Sequence, residues 1–298
     1  MTDLLERLRR GPCLLLDGGF GSELIARGLE AGASPDRWTL ERPADVLGVH
    51  RAYVEAGSEA IHANTFGANR ARLERHGLAG RIEEINHAAV RLAREAGAPY
   101  VFADIGPSGE HLPPVGRANL DEWRGAFEEQ GRILADTGVD AFHVETMTDL
   151  REGLTALESL RRAAPKIPVL VSLTFERKKR GFFTLMGDPL LGSLTRLRDA
   201  GAAAVGANCT LASGDMRDLA REALASTDAL LAFQPNAGTP VLAGGRTTYA
   251  QSPGEFAEDL APLAITPRVA ALGGCCGTDP RFIRALRARM SRPAAVPA

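Results

Sequence analysis

Two adjacent cysteines, Cys275 and Cys276, stand among glycines near the end of the chain, in the run Gly273 to Thr278. Neighbouring side chains of a regular strand point to opposite faces, so adjacent thiols bind one metal only where the backbone bends sharply. Glycine allows the positive φ that such a bend needs. A third thiol, Cys209, follows Asn208. Three thiolates leave one position open on a tetrahedral Zn²⁺, which is typical of a catalytic zinc site.

These thiols allow three interpretations. Our central hypothesis is a zinc site formed by Cys209, Cys275 and Cys276 that binds and activates a substrate thiol, because zinc deprotonates a thiol without a general base. A vicinal disulfide, or two small core residues, would also explain the adjacent pair, since no CxxC signature is present. Cys13 lies four residues before Asp17 on the same strand face, about 13 Å lower, and is predicted to be a core residue.

A scaffold must bring these distant segments together. Short apolar runs alternate with helical patterns along the chain, which indicates a parallel sheet. The predicted strands are 13–19, 59–66, 100–105, 141–147, 169–175, 204–209, 229–235 and 269–275. Eight strand–helix units in 298 residues favour a single α/β domain, a (β/α)8 TIM barrel over 1–298 with a frayed Pro/Ala-rich tail at 291–298. A doubly wound sheet is the alternative, but no GxGxxG follows any strand.

The unusual polar residues fall at the carboxyl ends of the predicted strands, where barrels of this kind carry their active sites. They are Asp17, Asn64, Thr65, Asp104, Glu145, Thr174, Asn208, Cys209, Gln234, Asn236, Cys275 and Cys276. Thiols from the sixth and eighth strands therefore converge above the barrel. This convergence is the reason for joining two distant cysteine motifs into one site.

Two carboxylates at strand ends are candidates for substrate binding. Glu145 would hold a substrate ammonium by a charge-assisted hydrogen bond, or pair with a loop arginine. Asp17 would likewise bind substrate, or fix the turn while the N–H groups of Gly18 and Gly19 face a carboxylate. His143, on the same strand face as Glu145, is predicted to be a core histidine.

Further polar residues have less specific patterns. Asn208 either orients a metal-bound thiolate or caps a loop. His62 carries no spacing that marks it as a ligand. The stretch 176–183 follows the fifth strand and combines four cations with two phenylalanines. We predict a loop that overhangs the site, and either receives an anionic donor or docking partner or is simply solvated.

Composition excludes several classes of function. The net charge of −2 gives no overall basic field to attract nucleic acid. No apolar run approaches the ~20 residues of a membrane helix. The amino terminus is charged and lacks the apolar core of a signal peptide. Clustered thiols in a chain of this length are typical of metal-binding or catalytic sites in a reducing cytosol, so we expect a cytoplasmic protein.

Seven segments carry a resemblance to a known family: LDGGFGSEL (16–24), ANTFGANR (63–70), ADIGPSG (103–109), VETMTD (144–149), GANC (206–209), QPNAGTP (234–240) and GGCCGT (273–278). Over nearly its whole length the chain resembles the homocysteine S-methyltransferase family. The resemblance implies a (β/α)8 barrel enzyme that transfers a methyl group to homocysteine, giving methionine, with zinc on Cys209, Cys275 and Cys276. Asp17, Gly18, Gly19 and Glu145 match positions that bind the homocysteine backbone in that family.

Within the family, the stretches around 63–78, 104–110 and 235–241 are most similar to the homocysteine module of cobalamin-dependent methionine synthase. The 298 residues contain none of the other modules of that branch, and we expect none in this protein. The expected donor is therefore methylcobalamin on a separate corrinoid protein, or a small molecule: S-methylmethionine, S-adenosylmethionine or betaine. The pair Trp38-Thr39 resembles the betaine-using branch, whereas the cations at 177–180 argue against cationic donors. The alternatives are a non-catalytic, substrate-presenting zinc and thiol-binding subunit of a split corrinoid methyltransferase, and a methyltransferase for another thiol.

Overall fold

The structure is a computed structural model that describes residues 4–30, 32–243 and 246–291, without the side chains of 242, 243 and 246. The tail predicted to be frayed lies outside the described residues from 292 on. The described strands are β1 (Leu14–Leu15), β2 (Ala60–His62), β3 (Tyr100–Ile105), β4 (Ala141–Met147), β5 (Val169–Leu173), β6 (Phe175–Lys178), β7 (Gly181–Thr184), β8 (Ala204–Ala212), β9 (Leu231–Asn236), β10 (Val241–Ala243), β11 (Arg246–Thr248) and β12 (Val269–Leu272).

Helices connect the strands. They are α1 (Leu4–Arg10), α2 (Phe20–Ala26), α3 (Pro35–Glu41), α4 (Pro43–Ala56), α5 (Arg70–Glu74), α6 (Ile82–Glu95), α7 (Leu120–Ala135), α8 (Leu150–Ala163), α9 (Leu190–Asp199), α10 (Ser213–Ser226), α11 (Pro253–Ala264) and α12 (Pro280–Met290). Several helices begin at local signals: Asn119 with Glu122, and Ser252 with Glu255, form capping boxes. None of the described helices has both the length and the apolar character needed to cross a membrane.

Eight parallel strands form one sheet in the order β1-β12-β9-β8-β5-β4-β3-β2. The two end strands approach each other, since the Glu59 amide donates to the Leu15 carbonyl at 2.8 Å and Ser58 Oγ donates to the Leu16 carbonyl at 3.1 Å. The sheet therefore closes into a barrel surrounded by helices. The predicted single (β/α)8 barrel is confirmed, and the doubly wound alternative is excluded.

The barrel is packed on both sides of its wall. All six residues of β3 are buried, as expected for a strand between a filled interior and a helix layer. The interior cluster consists of Leu4, Leu8, Leu14, Leu16, Ala60, Tyr100, Phe102, Ala141, Leu170, Ala204, Ala232, Ala270 and Ala271. Because Leu4 and Leu8 belong to α1, this helix closes the end of the barrel opposite the polar mouth. Cys13 is buried, as predicted, and burial raises the pKa of its thiol to about 12.

Six of the eight predicted strands have wrong boundaries, mostly where they run into the mouth. The strands predicted at 13–19, 59–66, 169–175 and 269–275 shorten to Leu14–Leu15, Ala60–His62, Val169–Leu173 and Val269–Leu272, whereas those at 204–209 and 229–235 become Ala204–Ala212 and Leu231–Asn236. The segments after β1 and β12 leave the wall because their backbones bond to each other: the Gly19 amide donates to the Thr278 carbonyl, and the Gly274 amide to that of Asp17.

Candidate active site

The three thiols predicted to form one site lie together at the mouth. The sulfurs of Cys209, Cys275 and Cys276 all lie within 4.8 Å of one another, and the Cys209 and Cys276 sulfurs are 3.8 Å apart. All three cysteines are free and half-buried. Because a disulfide requires ~2.05 Å between sulfurs, the cluster is a set of thiols and not a bridge. Half-burial at the mouth also excludes the core interpretation of the adjacent pair.

The donor set fits a metal ion. Two sulfurs on a tetrahedral zinc with ~2.3 Å bonds lie about 3.8 Å apart. The separation between Cys209 Sγ and Cys276 Sγ has this value. Three sulfur ligands also leave a fourth position for an exogenous ligand. The cluster can therefore hold a metal with little movement of the side chains.

The backbone that delivers these thiols is strained at Cys209 rather than at the glycines. Cys209 has φ 62° and Thr210 has φ 51°, in the left-handed region. Near the adjacent pair, only Gly277 has a positive φ, of 78°. Gly274 serves close packing instead, since a Cβ there would lie 2.3 Å from Thr278 Oγ1. The prediction that glycine φ angles create the bend is thus correct for Gly277 alone.

Asn208 connects the thiols with β4. Its side-chain amide donates to Thr146 Oγ1 at 2.8 Å, to Glu145 Oε2 at 3.2 Å and toward Cys275 Sγ at 3.8 Å. Its Oδ1 accepts the Thr146 amide at 2.8 Å. The side chain is fully buried, so its orientation is fixed. The structure brings Asn208 to Cys275, and not to its chain neighbour Cys209.

Glu145 lies half-buried beside this network. Burial raises the pKa of its carboxyl to about 7, against the lowering effect of His62 and together with the charges of Cys209 and Asp17. No arginine side chain that the structure describes pairs with it, which favours substrate binding over the predicted alternative of a loop ion pair. Its Oε2 accepts only a long hydrogen bond from Asn208. The carboxylate is thus placed to receive a cationic group at the mouth.

Asp17 begins a buried chain of polar groups that the sequence did not reveal. Its Oδ1 accepts from His62 Nδ1 at 2.6 Å and its Oδ2 accepts the His62 amide at 2.8 Å. His62 Nε2 lies 2.7 Å from His143 Nδ1, and His143 Nε2 lies 2.9 Å from Ser172 Oγ. His143 is buried and satisfied, as predicted for a core histidine.

The positive charge in this row of hydrogen-bonded groups lies on His62. Burial lowers the pKa of His62, but the hydrogen-bonded Asp17 outweighs burial and raises it to about 10. Burial, with the neighbouring His62 cation, holds the pKa of His143 well below its usual range. His62 therefore donates from both ring nitrogens, and His143 accepts at Nδ1. No spacing in the sequence signals this role for His62, because its partners come from other strands.

The two histidines and Glu145 form a second group whose ligand atoms lie within 4.8 Å of one another. Two nitrogens on one tetrahedral metal with ~2.05 Å bonds lie about 3.3 Å apart. The observed 2.7 Å between His62 Nε2 and His143 Nδ1 is too short for that arrangement and suits a shared proton. The thiol cluster is consequently the better metal site.

The glycines after Asp17 pack the first loop onto the last one. The Gly19 amide donates to the Thr278 carbonyl at 2.9 Å and to Thr278 Oγ1 at 3.1 Å. A Cβ on Gly18 would lie 2.8 Å from Thr278 Oγ1, and one on Gly19 would lie 2.6 Å from the Cys275 carbonyl. The Gly19 N–H is thus engaged within the protein, which leaves Gly18 as the candidate for a substrate carboxylate.

The basic stretch after β5 is not a loop but the antiparallel hairpin β6–β7. Arg177 donates to Asp215 at 2.8 Å and to Asp218 at 2.7 Å, both on α10. Lys178 pairs with Glu176. Two of the four cations are therefore neutralised by neighbouring carboxylates. This neutralisation weakens the case for an anion receptor above the mouth.

Two surface grooves have volumes of about 350 and 410 Å³. The first is lined by residues including Arg37, Trp38 and Arg42, and the second by residues including Arg70 and Glu84. Neither is lined by the thiols, Asp17 or Glu145. Arg42 lies over the Trp38 ring at 4.0 Å. Chemistry is therefore assigned to the thiol-rich mouth and not to these grooves.

The fold and the mouth together define a (β/α)8-barrel enzyme with a three-thiol centre able to hold a metal. The chain belongs to the homocysteine S-methyltransferase family, whose sequence model matches residues 14–290. The resemblance noted from the sequence is thereby confirmed.

Individual relatives agree with this assignment. The chain is 33% identical to a methionine synthase of Mycobacterium tuberculosis and 32% identical to that of Mycobacterium leprae, over 97% and 98% of its length. It spans about a quarter of the length of these relatives. Among solved structures, the metallated homocysteine methyltransferase MmuM of Escherichia coli has a TM-score of 0.74 at 24% identity, covering 94% of this chain and 97% of that one. That likeness supports the barrel fold.

Proposed function

We propose that this chain transfers a methyl group to the thiol of homocysteine, giving methionine, with zinc held by Cys209, Cys275 and Cys276. The observation that carries the proposal is the meeting of three thiols at the barrel mouth, with two sulfurs 3.8 Å apart. Membership of the homocysteine S-methyltransferase family supports the acceptor.

The chemistry follows from the acidity of the substrate. A free thiol has a pKa near ~8.5 and is mostly protonated at neutral pH. Zinc on the three thiolates would supply the positive charge that keeps a fourth, substrate sulfur deprotonated. Asn208, donating toward Cys275 Sγ at 3.8 Å, orients that thiolate. The substrate sulfur then forms the new bond to the methyl carbon as the donor–methyl bond breaks, and the donor keeps the electron pair.

The remaining residues position the amino acid. Glu145 holds the substrate ammonium, because its half-buried carboxylate has no arginine partner among the described residues. The Gly18 N–H binds the substrate carboxylate, while that of Gly19 holds Thr278. Asp17 fixes the turn before these glycines through its two bonds to His62. Holding the sulfur in line with the donor methyl supplies the proximity that the transfer needs.

The donor we would test first is methylcobalamin carried by a separate protein. The similarity to methionine synthases over nearly the whole chain supports this choice of donor. S-methylmethionine, S-adenosylmethionine and betaine are the small-molecule alternatives. Since Arg177 and Lys178 are paired with carboxylates, the hairpin argues less strongly against these cationic or zwitterionic donors than four free cations would.

The similarity to methionine synthases allows a second function, that of the substrate-presenting subunit of a split corrinoid methyltransferase. It would bind zinc and homocysteine without turnover until its partner is added. A methyltransferase for another thiol is distinguished by competition among thiols for the same site.

The decisive experiment is metal analysis combined with a homocysteine titration. The protein would be purified under reducing conditions, and proton release and X-ray absorption at the zinc edge would be followed as homocysteine is added. We expect about one zinc for the three cysteines, which gains a sulfur ligand and releases a proton. Absence of zinc, or zinc indifferent to homocysteine, would contradict the proposal. Methylcobalamin and S-methylmethionine would then be offered side by side.

A further inference from the structure

Asp17 and Glu145 were both expected to contact the substrate ammonium, yet Asp17 is buried and each of its oxygens already accepts a hydrogen bond. Both of its carboxylate oxygens accept from His62, at 2.6 and 2.8 Å, and only 1% of the residue is exposed. A buried carboxylate with a hydrogen-bonded imidazolium has little left to offer a second cation. The ammonium subsite therefore needs another acceptor beside Glu145.

Asp104 is a buried carboxyl group whose side chain has no hydrogen-bond partner among the described residues. It is 9% exposed, and its Oδ1 is buried and accepts no hydrogen bond from any residue that the structure describes. Burying such a group without a donor costs free energy, so an unpartnered oxygen of this kind calls for an explanation. A cationic ligand that donates a hydrogen bond to this oxygen would explain it.

The backbone points Asp104 into the barrel mouth. Side chains two apart on a strand share a face, and Phe102, two residues earlier, belongs to the interior cluster. In the β3–β4 register Asp104 stands opposite His143, two residues below Glu145. The Asp104 amide and carbonyl both bond to Thr65 Oγ1, at 2.9 and 2.8 Å, which fixes the strand end.

The charges around Asp104 favour a cation. Its pKa is raised well above the usual range, first by burial and then by Glu145, with Asp17 and Asp36 adding to the effect and His62 opposing it. An ammonium between Asp104 and Glu145 would relieve both the repulsion and the missing hydrogen bond. A neutral ligand would relieve only the second.

We propose that Asp104, together with Glu145, binds the ammonium of the thiol substrate, in the place that the sequence assigned to Asp17. The assignment rests on the proposed function, because it takes an amino-acid thiol as the substrate. It makes Asp104 a specificity residue: it selects thiols that carry an α-amino group.

The test is a comparison of two thiols on zinc-loaded protein without a methyl donor. Homocysteine and 4-mercaptobutyrate, which lacks only the amino group, would be titrated calorimetrically into wild type and Asp104→Asn. We expect wild type to prefer homocysteine, and this preference to fall about tenfold or more in Asp104→Asn, as for loss of a charge-assisted hydrogen bond. Zinc content should stay unchanged. Asp104→Ser serves if the asparagine variant fails to fold.

Asp36→Asn is the matched control. Asp36 is also a buried aspartate with an unpartnered Oδ1, but its Oδ2 accepts from Ser34 Oγ at 2.9 Å. We expect it to keep the wild-type preference. If both Asp104 variants still bind homocysteine and keep the wild-type preference, the assignment of Asp104 is wrong but the proposed function stands. The same holds if Asp36→Asn loses as much of the preference as Asp104→Asn. Failure of wild type to bind either thiol would overturn the proposed function, and the assignment with it.

Discussion

Cys209 delivers its thiol from a backbone conformation that L-residues rarely adopt. Its φ of 62° and that of Thr210, 51°, cost about 1–2 kcal/mol each relative to the right-handed region. Thr210 Oγ1 donates to the Phe175 carbonyl at 2.8 Å and holds the turn. Such strain persists where surrounding structure over-determines it, and here it places one sulfur 3.8 Å from Cys276 Sγ.

Replacing Cys276 by serine tests the proposed zinc site at the level of one atom. We expect Cys276→Ser to weaken zinc binding by more than about 100-fold, since loss of a residue that only supports a ligand already costs about 10–100-fold. The barrel should remain folded because Cys276 is half-buried at the mouth. Zinc content after dialysis against a chelator measures the binding, and circular dichroism measures whether the barrel is folded.

Cys13→Ala is the control for that experiment. Cys13 is the fourth thiol of the chain and is 5% exposed in the core. Its removal should leave zinc content unchanged while lowering stability modestly. A Cys276→Ser protein that keeps zinc as tightly as Cys13→Ala would show that the cysteine cluster is not the metal site.

Among the elements, those with strong local signals were predicted well. The predicted bounds of β3 and β4 agree with the structure, because both are short, mainly apolar runs. Pro43 and Pro280 mark the first turns of α4 and α12. The loops at the mouth were not predicted. Their backbone hydrogen bonds join different loops, as from the Cys275 amide to the Pro235 carbonyl at 2.8 Å. Such bonds cannot be predicted from the hydrophobic periodicity of a single segment.

The close packing of these loops gives a prediction at the element scale. A Cβ on Gly274 would lie 2.3 Å from Thr278 Oγ1 and 2.7 Å from its Cβ, so Gly274→Ala must displace the loop that carries Cys275 and Cys276. We expect a loss of about 1–3 kcal/mol in unfolding free energy, as for other overpacked sites, and weaker zinc binding. Denaturant unfolding and a zinc competition assay measure the two effects.

Gly125→Ala is a suitable comparison because a Cβ at Gly125, in α7, meets nothing within 4 Å. It should leave zinc binding unchanged and not lower stability, since alanine is the better helix former. If Gly274→Ala bound zinc as tightly as Gly125→Ala, the loop would not be held by this contact.

At the scale of the whole molecule, the barrel closes between its two shortest strands, β1 with two residues and β2 with three. The strand ladder does not continue across this seam. The bonds that do cross it include the Glu59 amide to the Leu15 carbonyl and the paired contacts between Asp17 and His62. The sequence predicted the barrel but not this closure, because His62 has no partner at a recognisable spacing. Asp17 and His62 therefore act in closing the fold as well as in bordering the site.

Closure through a charged pair makes stability depend on pH. The pKa of His62 is raised to about 10 in the folded protein, against about 6.5 in an unfolded chain. Between these values the folded state binds one more proton, so this contribution is complete below about pH 6.5 and is lost as pH rises toward 10. We expect His62→Gln to cost about 3–5 kcal/mol at pH 6, because it leaves Asp17 buried and unpaired, and less at pH 9.5. Denaturant unfolding of wild type and His62→Gln at pH 6, 8 and 9.5 gives the difference in unfolding free energy between them, from which the other titrating groups cancel. If this difference does not change with pH, His62 is uncharged in the folded protein.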